Sequence, residues 1–170
     1  MVWLAWAVAA CGSEGPTEPK QVSIPDLFGN QLSKADGSSV GVGTLNGTPV
    51  IGIYFASPTC PACAGFTPSL VEAYNELSGE GKPFEVVLVS SGIGESALLA
   101  YMVGSGMPWL AVPAGSGKIN SLINRYAIRW IPTLVIIDDD GNTISMTGRE
   151  EVVQSGAAIY DAWLASTSGS

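Results

Sequence analysis

The chain has 170 residues, 46% hydrophobic and 13% charged, which suits one globular domain with a real core and excludes a disordered chain. Its net charge is -8, with seven Lys and Arg against fifteen Asp and Glu. That balance argues against nucleic acid, which needs a basic footprint, and against electrostatic binding to an anionic membrane.

In chain order, Met1 to Ala10 is apolar and uncharged and ends Val8-Ala9-Ala10-Cys11. A short apolar run followed by small residues resembles a secretory signal. Small residues directly before a cysteine resemble the lipobox of bacterial lipoproteins, with Cys11 as the lipidated residue and a possible membrane tether. No Lys or Arg precedes the run, and it is far short of the about 20 residues a spanning helix needs. Gly12 to Lys20 is polar and rich in Pro and Gly, as a flexible linker is. The expected organisation is therefore an export or lipoprotein-like segment with linker over 1–20, a domain over 21–165 and a tail over 166–170. An exported, periplasmic or membrane-anchored location goes with it; a cytoplasmic one is the alternative.

Within the domain, Val22 to Leu32 reads as a short helix or turn entering a first strand, and Ala35 to Ser39 as a turn. Val40 to Val42 can return as a short strand. Val50 to Ala56 is an apolar, β-branched and aromatic run without charge, the pattern of a strand buried on both faces. After it, Phe66, Leu70, Ala73, Tyr74 and Leu77 share one helical face, with Pro68 removing a backbone bond. Phe84 to Val89 is the next strand. A helix carrying Leu98, Tyr101 and Met102 follows, then a short strand over Trp109 to Val112. Ile119, Leu122, Ile123 and Tyr126 mark a further helix, and Thr133 to Ile137 a third long apolar strand. Asp138 to Asn142 is a hairpin turn, a solvated one, and Thr143 to Thr147 pairs back antiparallel. A last helix places Val153, Ala157, Tyr160 and Leu164 on one face. Strands alternating with helices predict an α/β, three-layer α/β/α architecture around a central mixed sheet.

Chemistry concentrates at Cys60-Pro61-Ala62-Cys63, between the strand of Val50 to Ala56 and the helix of Phe66 to Leu77. There is no histidine in the chain, so Ser-His-Asp, Cys-His and zincin chemistries are excluded for it acting alone. The three cysteines cannot make a four-thiolate zinc site, and no metal is expected. Two thiols separated by two residues beside a βαβ pattern read instead as a thioredoxin-like redox site. Pro61 suits the first helical turn, which leaves Cys60 at the positive end of a helix, where free N–H groups favour a thiolate.

The segment Ile53 to Pro68, with Tyr54-Phe55, Cys60-Pro61, Cys63 and Gly65-Phe66-Thr67-Pro68, resembles the active-site segment of nucleoredoxins and tryparedoxins. Met107-Pro108-Trp109-Leu110-Ala111-Val112-Pro113, Ile131-Pro132-Thr133-Leu134, Asp140-Gly141 and Gly148-Arg149 are similar to further positions of that family, in order. The resemblance spans roughly Ile24 to Val153. It implies a thioredoxin-like fold with extra N-terminal strands and an inserted helix–strand segment. Three departures stand at the site: Thr59 replaces the usual tryptophan, Ala62 a second proline and Ala64 an arginine. Tyr54 occupies the place where thioredoxin has a buried aspartate.

The resemblance implies a thiol–disulfide oxidoreductase in which Cys60 attacks and Cys63 resolves the mixed disulfide. It also implies that Ile131 pairs by its backbone with an extended substrate beside a cis Pro132. Thr59, Pro61, Ala62 and Trp109 join Ile131 and Pro132 as expected substrate-binding residues, while Trp130 reads better as packing. The expected partners are protein disulfides or dithiols and a redox partner protein. No bound cofactor is needed, and a monomer is expected. A redox-inert binding module on the same fold, or a thiol peroxidase, are the competing readings. The peroxidase lacks the expected Thr, since Ser57 stands at that offset from Cys60.

Overall fold

The computed structural model describes residues 22–167. The expected export segment with Cys11 and the last three residues of the expected tail lie outside the described residues. Ser23 starts the short helix α1 (Ile24–Phe28): its hydroxyl accepts from the Asp26 N–H, and the Asp26 carboxylate accepts from the Ser23 N–H in return. A hairpin of β1 (Gln31–Lys34) and β2 (Ser39–Gly41) follows, and a 3₁₀ turn over Val42–Leu45 leads into β3 (Val50–Phe55).

Every residue of β3 is buried because the strand is central in both directions. On one side it pairs in parallel with β4 (Phe84–Val89), and on the other antiparallel with β6 (Thr133–Ile137). Beyond β4 lie β5 (Leu110–Ala111) and the β1–β2 hairpin; beyond β6 lies β7 (Thr143–Ser145), so the seven-stranded order is β2-β1-β5-β4-β3-β6-β7. Alternate residues of β3 feed two separate cores. Val50 and Tyr54 face α2 (Pro61–Gly79) and α3 (Glu95–Gly104), whereas Ile51, Ile53 and Phe55 face α1 and α4 (Gly117–Arg125). Two-sided burial is what makes the run continuously apolar rather than alternating. The architecture is the expected three-layer α/β/α fold around a mixed sheet.

The C-terminal helix differs from its expectation. It is three pieces: α5 (Gly148–Ser155), a 3₁₀ turn over Gly156–Ile159, and α6 (Tyr160–Thr167). Gly156 takes φ +55, a conformation that ends an α-helix, and the phase of the buried face shifts across the break. Val152, Ala157, Tyr160 and Trp163 are buried, while Val153 is 63% and Leu164 36% exposed. The helix also runs past Ser166, where the tail was expected to begin.

The Asp138 to Asn142 turn is also not wholly solvated. Asp138 is buried and accepts from the backbone N–H groups of Asp140 and Asn142 and from Asn142 Nδ2, so it holds the hairpin shut. Only Asp139 and Asp140 are exposed. Gly141, at φ +83, completes the turn beneath the Val22 carbonyl oxygen, which a side-chain carbon there would overlap.

Candidate active site

The central strand β3 delivers the chain to the start of α2, where Cys60 is the N-cap and Pro61 opens the helix. The Cys63 N–H donates to Cys60 Sγ at 3.1 Å. This is the capping bond a serine or aspartate would accept, made here to sulfur, and it places the charge-stabilising helix N-terminus on that atom. Cys60 is partly exposed and Cys63 is fully buried; both are free thiols. Burial pushes the Cys63 thiol up to about 12, a side-chain hydrogen bond with the Cys60 sulfur adds to that, and the Arg149 guanidinium opposes it. One thiol is thus open to a partner and the other is held protonated beneath it.

A second segment closes over the pair. Cys60 Sγ lies 3.8 Å from the Ile131 carbonyl oxygen across 71 positions of sequence. The Ile131–Pro132 peptide bond is cis, Ile131 is 38% exposed and Pro132 is buried. Thr59, Pro61 and Ala62 are exposed on the rim beside Cys60, and the Thr59 hydroxyl lies 3.1 Å from Ser57 Oγ.

Beneath the thiols, the Thr67 hydroxyl donates to the Cys63 carbonyl oxygen at 2.8 Å. A hydroxyl has one proton, so the Tyr54 O–H, 2.8 Å from Thr67 Oγ1, must be the donor in that contact. Burial raises both the Tyr54 phenol and the Tyr101 phenol, the latter to about 12, and Tyr101 lies within electrostatic reach of both thiols. Tyr54, at the position where thioredoxin has a buried aspartate, thus brings hydroxyl groups beneath the thiols instead of a carboxylate.

Trp109, expected to bind substrate, is not on the surface. It is 1% exposed and packs edge-on against Tyr54 and Tyr74, with ring centroids 6.1 Å and 5.7 Å apart. Its place on a strand end between β4 and β1 turns the ring into the core under the site. Trp130 is the reverse case. Expected as packing, it is 74% exposed, one residue from Ile131.

Arg149 resembles the family by position alone. It is the second residue of α5 and acts electrostatically on Cys63, and so supplies part of the positive charge that Ala64 lacks. That closeness depends on Gly148, where a Cβ would sit 2.9 Å from both the Leu134 carbonyl oxygen and Ile136 Cγ1. The Gly148-Arg149 pair was the one sequence signal for it. Two cavities flank Ile131-Pro132, of about 320 Å³ and about 260 Å³, and Arg129 and Trp130 line both. Among the described residues no group of three or more Cys, Asp or Glu is placed to hold a metal ion.

Comparison with known proteins agrees with this geometry. Residues 47–143 match the family described as thioredoxin-like. Nucleoredoxin of Bos taurus is 37% identical over 143 residues, covering 84% of this chain but 32% of that protein, so the chain spans about a third of the length of the curated nucleoredoxins it matches. The solution structure of thioredoxin-related protein 16 of Carcinoscorpius rotundicauda superposes with a TM-score of 0.71 at 39% identity, covering 81% of this chain and 97% of that one. Tryparedoxin I of Leishmania major superposes with a TM-score of 0.69 at 29% identity, covering 80% and 92% of the two chains.

Proposed function

Since the chain belongs to the thioredoxin-like family, in its nucleoredoxin- and tryparedoxin-like branch, we propose that it is a thiol–disulfide oxidoreductase acting on protein disulfides through Cys60 and Cys63. A redox function on a thioredoxin fold is what the family supports; the roles of individual residues are the proposal. The observation that carries it is the pairing of a partly exposed Cys60, capped by the Cys63 N–H, with a buried, protonated Cys63.

In the first step the Cys60 thiolate attacks one sulfur of a substrate disulfide. A bond forms between Cys60 and that sulfur, and the other substrate sulfur leaves as a thiolate. Cys63 then gives its proton to the departing thiolate and attacks Cys60 Sγ, which releases the second substrate sulfur as a thiolate that takes a proton from water. The substrate gains two electrons and becomes a dithiol; Cys60 and Cys63 become a disulfide. A dithiol partner protein reverses the change by the same exchange. Ile131 offers its backbone to an extended substrate, and Thr59, Pro61 and Ala62 form the rim the substrate meets.

The test is reduction of insulin by the chain with dithiothreitol as electron source. Cys60→Ser is expected to lose the activity; a Cys60→Ser variant as active as the parent would sink the mechanism. Export or lipid tethering through Cys11 is a separate proposal that rests on segment 1–20 alone. The mass of the native N-terminal peptide decides it: an unmodified, uncleaved Cys11 peptide rules it out.

A further inference from the structure

Ile128, Arg129 and Trp130 form a ridge between the two cavities beside the dithiol, and each of the three lines both. On one side Phe55, Val89, Ile123 and Ile131 make an apolar hollow of about 260 Å³ that reaches Ser57, in the loop carrying Cys60. On the other, Met146 and Arg149 wall a hollow of about 320 Å³. The fold gives no account of the ridge crest. Trp130 is 74% exposed, and neither Trp130 nor Arg129 belongs to either core. With Ile131, 38% exposed, and Met146, 46% exposed, along the same hollows, Trp130 belongs to an exposed apolar patch, and such a patch rimmed by polar groups marks a contact surface.

Charge points the same way. The chain has three arginines and a net charge of -8, yet two of the three, Arg129 and Arg149, line these hollows against one acid, Glu150. Glu150 lies 3.7 Å from Arg149, whereas Arg129 makes no ion pair among the described residues. A partner bearing acidic side chains is repelled by most of this surface and attracted here.

We propose that the ridge selects disulfide-bearing protein segments with an acidic side chain within reach of Arg129 and a bulky apolar one that packs on Trp130. The inference rests on the dithiol reading above: Cys60 Sγ lies 3.8 Å from the Ile131 carbonyl oxygen, and Ile131 adjoins Trp130, so a segment that pairs with Ile131 to meet that sulfur runs alongside the ridge. It names the substrate class for that site, an extended acidic and apolar segment.

The experiment uses the full chain and two disulfide-linked peptide pairs identical except for Glu or Lys beside the cysteine. At low salt kcat/KM is expected to favour the Glu peptide about fivefold, the size of one contact between exposed charges. The ratio is expected to fall toward one in about 1 M salt, where the screening length is about 3 Å. Arg129→Gln is expected to bring the ratio toward one, Trp130→Ala to raise KM for both peptides, and Arg125→Gln, an arginine lining neither hollow, to keep the parent ratio. A parent ratio at or below one, or a ratio that Arg129→Gln leaves intact, overturns the proposal. Calorimetry with serine-substituted peptides separates the two readings. Charge preference in binding without turnover removes the redox reading and keeps the ridge; turnover without charge preference removes the ridge alone.

Discussion

The Tyr54 hydroxyl donates to Thr67 Oγ1 at 2.8 Å, which ties the strand before the dithiol to the helix after it. Thr67 passes the bond on to the Cys63 carbonyl, so the backbone of the buried cysteine is held by a chain of two hydroxyls. The two links are not equivalent. Tyr54→Phe leaves Thr67 still donating to Cys63 and costs about 1 kcal/mol. Thr67→Val leaves the buried Tyr54 O–H without its acceptor and is expected to cost more, about 1–3 kcal/mol. Urea unfolding of the two variants checks the order; equal losses would contradict it.

Cys60 and Cys63 should differ sharply in reactivity. With its thiol pushed up to about 12 and its side chain buried, Cys63 stays protonated and shielded in the native dithiol protein. Iodoacetamide at pH 8 to 9, read by peptide mapping, is expected to label Cys60 and spare Cys63 until urea is added. The sign for stability follows. The folded state keeps a proton that the unfolded thiol loses from its ordinary value of 9.0, so this contribution is present below 9.0 and is lost as pH rises toward about 12. Cys63→Ala should flatten that part of the alkaline stability curve; an unchanged slope would count against it.

Glu85 is a half-buried acid outside the site. Its carboxylate accepts from the Tyr74 O–H at 3.2 Å and the Val86 N–H at 2.9 Å, but burial outweighs both and raises it. A carboxyl raised on folding binds its proton more tightly in the folded state. Stability is therefore lost as pH rises from the unfolded value of 4.5 through the folded one. Glu85→Gln keeps an acceptor for both donors and removes the charge. It is expected to raise Tm at pH 7, with the gain shrinking toward pH 4.5; a lower Tm at pH 7 would refute the argument.

Gly148 has no room for a side chain. A Cβ would stand 2.9 Å from the Leu134 carbonyl oxygen, a backbone atom of the central sheet that cannot move aside cheaply. Gly148→Ala is expected to cost about 1–3 kcal/mol as overpacking does, and to shift Arg149 away from Cys63. The loss of stability is read by urea unfolding. The shift of Arg149 is read as a larger loss of stability above pH 9.0 than in the parent, since the charge that opposes the raised Cys63 thiol moves away.

The sequence by itself determined the local elements and the chemistry at their junction. Val50 to Phe55 and Thr133 to Ile137, and Phe84 to Val89 with only Glu85 interrupting it, are short β-branched and aromatic apolar runs, the pattern of strands in a sheet covered on both faces. The position of Cys60 before Pro61 made it a helix N-cap, which is a one-turn relationship and is visible as spacing. Periodicity failed where a backbone irregularity intervened: one residue in a left-handed conformation, Gly156, moved the buried face from Val153 and Leu164 to Val152 and Trp163. It was also silent on which tryptophan goes inside. Trp109 fills the core under Tyr54 and Trp130 stands in solvent, although both flank family motifs, because burial depends on which strand lies alongside and not on the neighbours in sequence. Arg149 came within electrostatic reach of Cys63, and the Ile131 carbonyl to 3.8 Å from Cys60 Sγ, through sheet pairing across more than seventy positions. Long-range pairing follows from how the apolar faces close on one another, so the composition of the site beyond Cys60 and Cys63 was decided only when the sheet was assembled.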